Sequence, residues 1–270
     1  MTVIRMNNAA HISYCNTVKP VRIILKIPTL IETKNIFSYF IVPLNKIYQM
    51  VEASAKLKLY YYPAQGAAQQ IRFTLVAGGI AFDDVPASSF PPSPEDKALW
   101  VRLGQNTTTN IPMLVEGENT VYTQSLAVLR VAARRGGLMP TDVEEVYQVD
   151  KLIADVADLR AASYKAIAMM GATPAAQAHY VHTVLPQHVG NLERQLGDNE
   201  YFVGGQLSVA DTAIYDVLTT KCRNLVPDYL SAYPKLEAFV QRIEGLETIA
   251  EYRKSDAFTK LMAFPAIKLE

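Results

Sequence analysis

The sequence predicts a mixed α/β domain followed by an all-helical one, and three observations carry that reading. Residues 57–62 alternate with a period of two, two short apolar runs flank a turn within residues 110–122, and after Pro140 every local signal is helical. The resulting division is an N-terminal extension over residues 1–54, an α/β domain over 55–137 and a helical domain over 138–270.

The extension is rich in Ile, Asn and Lys, carries six basic side chains in residues 1–50 against one acid, Glu32, and shows neither helical nor strand periodicity. It reads as a disordered segment or leader, with Met50 as an alternative start. A secretory signal is disfavoured because no compact apolar run ends in a small-residue cleavage site. Organellar import is the lesser reading, since Arg5, Arg22, Ser13 and Ser38 are few for a transit peptide.

From Leu57 the text changes. Leu57, Leu59 and Tyr61 alternate with Lys58, Tyr60 and Tyr62 as a strand requires, and Pro63 and Gly66 then supply a turn. Residues 68–77 follow as a helix closed by Gly78 and Gly79. Past a Pro-rich loop and a short amphipathic piece around Trp100, the runs Ile111–Val115 and Thr120–Tyr122 flank Glu116-Gly117-Glu118-Asn119 and predict a β-hairpin. Ser125–Arg135 is the next helix, with Leu126, Leu129 and Ala133 on one face. Thr141-x-x-Glu144 predicts a capping box for a long helix striped by Val146, Val149, Ile153 and Val156, and Ser208-x-x-Asp211 predicts a second box.

Composition narrows the function. Lys plus Arg and Asp plus Glu number 26 each, so no net charge draws the chain to nucleic acid or to an anionic membrane, and a small molecule is the expected partner. No run of eighteen apolar residues reads as a membrane span. Cys15 and Cys222 lie far apart without metal-ligand spacing, which points to a reducing compartment, the cytoplasm. His179, His182 and His188 lack an acid at ligand spacing, so no metal is expected.

Five segments then occur in a telling order: LYYYPAQGAAQQIRF (59–73), NIPML (110–114), TQSLAVLRVAA (123–133), ADVADL (154–159) and GGQLSVADTAIYD (204–216). Over residues 57–265 the chain resembles the cytosolic glutathione transferases, and among them the tyrosine-type classes, closest to sigma. The resemblance implies a thioredoxin-like first domain that binds glutathione and a helical second domain that completes the site for an electrophile. It implies a homodimer with shared sites and a role in detoxification.

The resemblance makes Tyr61 the catalytic tyrosine. A free thiol titrates near 8.5, and the thiolate is the nucleophile, so a hydrogen bond worth about 1.5–3 kcal/mol to the charged sulfur brings roughly half of it into the reactive form at neutral pH. It implies further that Pro112 is a cis-proline that frees the Ile111 backbone for the cysteinyl unit. Gln124 and Ser125, at a helix start, would hold the γ-glutamyl carboxylate, where unpaired N–H groups and the helix dipole favour an anion. Trp100 and Asn110 would contact the glycyl end, with Arg102 standing in for a lysine the family has nearby. Asp158 would reach across the dimer to the γ-glutamyl amine. Tyr62, Gln65, Arg160 and Tyr164, with the C-terminal stretch 258–264, would frame the electrophile.

Departures from sigma-type prostaglandin D synthases count against an isomerase: Ala67, Ala154, Ala157 and Lys165 stand where those enzymes have a supporting arginine, metal-binding acids and a pocket tryptophan. The leading reading is conjugation of electrophiles, with hydroperoxide reduction beside it. The alternatives are a binding or structural protein of lens-crystallin type and a glutathione-dependent isomerase.

Overall fold

The computed structural model describes residues 3–5, 11–13, 22–26, 39–43, 57–105 and 110–268, and the chain divides into two units, 1–56 and 57–270. In the first, β1 (Val3–Arg5) pairs antiparallel with β2 (His11–Ser13), and β3 (Arg22–Lys26) with β4 (Tyr39–Pro43). The reading of residues 1–54 as a leader, and Cys15 with it, otherwise lies outside the described residues.

The second unit is built on β5 (Leu57–Tyr61), whose alternation resolves as expected: Leu57, Leu59 and Tyr61 are buried and Lys58 is exposed. β5 is central in a four-stranded sheet of order β6-β5-β7-β8. On one side β6 (Phe82–Pro86) runs parallel to it, with Tyr61 opposite Pro86. On the other, β7 (Met113–Glu116) runs antiparallel, with Leu59 opposite Leu114, and turns into β8 (Thr120–Tyr122). A parallel pair needs a crossover. It is supplied by a 3-10 turn, Gly66–Ala68, leading into α1 (Gln69–Ala77).

α2 (Pro94–Gly104) starts at a capping box in which Asp96 N–H donates to Ser93 Oγ at 3.0 Å and the Asp96 carboxylate accepts from Ser93 N–H at 3.3 Å. α3 (Ser125–Arg135) follows the hairpin. The ends of α1 and α3 meet at two glycines: a Cβ on Gly78 would lie 2.6 Å from the Gly136 Cα.

The helical half comprises α4 (Val143–Tyr164), α5 (Pro174–His179), a π-type turn over Tyr180–Val184, α6 (Leu185–Leu196), α7 (Val209–Val217), α8 (Pro234–Glu244), α9 (Glu247–Lys254) and α10 (Asp256–Thr259). The cap of α4 is Asp142 rather than Thr141. Its Oδ1 accepts from the N–H groups of Glu144 and Glu145 at 3.0 and 3.1 Å, so the helix begins one residue later than the predicted box requires. The box at α7 forms: Asp211 Oδ2 accepts from Ser208 N–H and Oγ, each at 2.7 Å.

Every residue of α7 is buried, as a helix enclosed on all sides must be. It packs against α1, where Thr74 Oγ1 and Thr212 Oγ1 lie 2.6 Å apart. One apolar core therefore runs from Leu57 in the sheet to Phe264 near the C-terminus. β5 ends where sheet, α1, α4 and α7 converge.

Candidate active site

β5 ends with the Tyr61 ring turned inward, 8% exposed. The chain turns over residues 63–65 and returns beneath the ring at Gly66, whose φ is +42° and where a Cβ would stand 2.5 Å from Tyr61 Oη. Glycine suits both the left-handed conformation and the close approach. One residue on, the Ala67 N–H donates to Tyr61 Oη at 2.9 Å. A phenol can accept and donate at once. With its oxygen engaged by Ala67, Tyr61 keeps its own hydrogen for a further acceptor.

Burial pushes the Tyr61 phenol above its ordinary value, opposed by the Ala67 N–H, Arg160 and Arg72 in turn. The group is thus a neutral donor at physiological pH, set among cations that favour an anion beside it.

The loop after Tyr61 is held from two directions. Arg72 on α1, fully buried, donates from Nη1 to Ala64 O at 2.8 Å and pairs through Nε with Asp84 Oδ2 of β6 at 2.7 Å. From the C-terminus, Met262 N–H donates to Pro63 O at 2.9 Å, and Gln65 N–H donates to Met262 O at 3.0 Å. The Gln65 side chain is buried too, its Oε1 accepting from Asn224 Nδ2 at 3.3 Å.

Behind this loop lies a buried polar cluster. Arg160 on α4 pairs through Nη1 with Asp216 Oδ2 on α7 at 2.7 Å and donates from Nη2 to Gln70 Oε1 at 3.1 Å. Tyr164, one turn further along α4, has its phenol pushed up by burial, with Arg160 opposing and Tyr61 adding to it. Its ring lies 6.1 Å from that of Phe264.

On the other side of β5, Tyr62 meets the rings of Phe90 and Trp100 edge-on, with centroids 5.4 and 5.8 Å away. Trp100 is buried on α2 and its carbonyl accepts from Asn110 Nδ2 at 3.0 Å. The Ile111–Pro112 peptide next to it is cis, as is Phe90–Pro91. At the start of α3, Gln124 is exposed with φ at +70°, uncommon for a residue other than glycine. Its carbonyl accepts from Val128 N–H at 2.9 Å, so the first-turn N–H groups of α3 have no carbonyl within the helix to meet.

The helical half matches the family model described as glutathione S-transferase, C-terminal domain, over residues 157–256. Glutathione S-transferase Mu 2 of Rattus norvegicus is 31% identical over 209 residues, 75% of this chain and 92% of the relative. The chain belongs to the glutathione S-transferase family. Glutathione S-transferase 2 of Gallus gallus is also 31% identical, over 76% of this chain and 93% of its own. Among solved structures, the Onchocerca volvulus Pi-class glutathione S-transferase superposes with a TM-score of 0.66 at 26% identity, over 76% of this chain and 96% of that one.

In this glutathione S-transferase the residues singled out from the sequence fall into three sets. Tyr61, Gln65 and Arg160 are buried, with Tyr164 partly buried beside them. Tyr62, Trp100 and Ile111 pack in the second apolar cluster, with Asn110 bonded to the Trp100 carbonyl and Pro112 buried. Arg102 on α2, Gln124 and Asp158 on α4 are exposed, and Ser125 is half-buried. Among the described residues no group of three or more His, Cys, Asp or Glu could hold a metal, and no helix is long and apolar enough to cross a membrane.

Sequence reasoning passed over Arg72, Asp216 and Lys221. For Arg72 and Asp216 a signal was present, since each is a charged residue beside an apolar run, IRFTLV and AIYDVL; Lys221, in TTKCRN, had none, and all three are fully buried. A buried charge demands a partner or a task.

Proposed function

We propose that this transferase binds glutathione and that Tyr61 donates its phenol hydrogen to the glutathione sulfur, holding it as the thiolate that attacks electrophilic small molecules. The observation that carries the reading is the Ala67 N–H on Tyr61 Oη, which engages the oxygen and leaves the hydrogen to give. The tyrosine-type, sigma-like assignment, the conjugation of diverse electrophiles in detoxification and the accompanying reduction of hydroperoxides are part of the same proposal.

Gln124 and Ser125 would receive the γ-glutamyl carboxylate, a reading supported by the positive φ at Gln124 and by the α3 N-terminus. The backbone of Ile111 before Pro112 would pair with the cysteinyl unit, and Trp100, Asn110 and Arg102 would meet the glycyl end. Asp158, exposed on α4, suits an acid that reaches a second subunit's site in a homodimer. Tyr62, Gln65 and Tyr164 would border the electrophile, while the ion pair of Arg160 with Asp216 favours a positioning role for the arginine. Residues 1–54 are an extension to a body of two domains, 55–137 and 138–270, placed in the cytoplasm.

Retention on immobilised glutathione followed by a conjugation assay tests the reading. Wild type and Tyr61→Phe should both be retained, and the variant should turn over roughly tenfold more slowly, as loss of about 1.4 kcal/mol of thiolate stabilisation requires. Equal rates would remove Tyr61 from the mechanism.

A further inference from the structure

Lys221 is fully buried in the π-type segment Leu218–Arg223 that continues α7, and its Nζ has no hydrogen-bond partner among the described residues. Its neighbours are two aromatic rings: Nζ lies 5.3 Å from the Tyr164 centroid and 4.5 Å from that of Phe264. Ring faces attract a cation but satisfy none of its donors. The charged and titratable groups around it are Asp216, Arg160 and Cys222, and Asp216 is already taken by Arg160 at 2.7 Å. A methionine would fill the same volume without an amine to desolvate.

The amine is placed one ring from the chemistry. Tyr164 separates it from the Tyr61 cluster, and Phe264 covers it from the strap that closes over the loop following Tyr61. That strap is tied by backbone hydrogen bonds at Met262 and Ile267, and Phe264 lies between the ties. For a substrate to meet the amine, the Phe264 ring would have to turn away from it.

We infer that Lys221 is a specificity-determining residue of the electrophile site, presenting a hydrogen-bond donor to the carbonyl oxygen of an α,β-unsaturated aldehyde or ketone. The inference rests on the reading of Tyr61 as the thiolate-stabilising residue. In the step, the glutathione thiolate forms a C–S bond at the β-carbon and the C=C pair moves toward the carbonyl oxygen, giving an enolate. Lys221 donates to that oxygen as its charge grows, and a proton from solvent, equal to the one the thiol lost on ionising, ends on the α-carbon. The net change is addition of S–H across the double bond, with no further reactant. Because the oxygen gains charge during attack, the donor stabilises the transition state more than the bound substrate.

The test compares two electrophiles, trans-2-hexenal, which has the carbonyl, and iodomethane, which has no oxygen acceptor. Lys221→Met should lose about tenfold or more in kcat/KM toward hexenal, the size of a hydrogen bond to a charged oxygen, and stay within about twofold toward iodomethane. Lys221→Gln, which restores a neutral donor, should keep more hexenal activity than Met and provides a second variant should Met fail to fold. Parallel losses on both substrates in these variants, or no loss on either, would overturn the inference. Tyr61→Phe run alongside should slow both substrates; if it slows neither, the reading of Tyr61 fails, a result distinct from any pattern at position 221.

Discussion

Arg160 on α4 and Asp216 on α7 form an ion pair of 2.7 Å with side chains 7% and 0% exposed. It fastens the long helix to the buried one behind the loop that follows Tyr61, and Arg160 also reaches Gly66 O at 3.4 Å. Removing one partner strands a charge in the core, which costs about 3–5 kcal/mol. Arg160→Met and Asp216→Leu should each lower the urea midpoint sharply, while the double variant should be less destabilised than the sum of the two. Additive losses would mean that the pair is not coupled.

Gly66→Ala should damage activity beyond its effect on stability. The new methyl would meet Tyr61 Oη at 2.5 Å and Cε1 at 2.7 Å, so the ring must move. Gly117→Ala is the control, since its φ of +59° carries a similar left-handed penalty with nothing within 4 Å of the Cβ. Both should lose about 1–2 kcal/mol in thermal melts, but only Gly66→Ala should lose roughly tenfold or more in conjugation. Comparable activity in the two would detach the ring's position from function.

Lys221 makes stability depend on pH. Burial lowers its amine to about 7, whereas an unfolded lysine titrates near 10.4. Between those values the unfolded chain binds more protons than the native one, so this group's contribution to stability rises with pH, and its full penalty stands at and below about pH 7. Lys221→Met should accordingly raise the melting temperature by several degrees at about pH 6 and by less at about pH 9. A gain independent of pH would contradict a depressed amine.

A chain beginning at Met50 should keep the sheet and helices of the unit spanning 57–270. Its thermal transition and its retention on immobilised glutathione should match those of the full-length protein. An insoluble product would make residues 1–49 part of the folding unit.

Much of the architecture was legible because it is written in short-range periods. β5 alternates, the hairpin turns at Gly117, and the Ser208 box lies next to the helix that it caps. β6 escaped notice because FDDVP places two aspartates in a strand of five, and one of them, Asp84, is there to meet Arg72 from another element. The cap of α4 was displaced by one residue because Thr141 and Asp142 are both competent acceptors, and only the backbone geometry chooses. At the site, Tyr61 and the turn at Gly66 were visible in the order of residues. The tie between residues 63–65 and Met262 joins chain segments about two hundred residues apart, and no local pattern encodes such a pairing.

That tie gives the protein a direction in time. The strand bearing the phenol leaves the ribosome about two hundred residues ahead of Met262, which fastens the neighbouring loop. A nascent polypeptide can therefore build its sheet long before it can secure the loop after Tyr61, and a chain ending ahead of Met262 would lack that fastening.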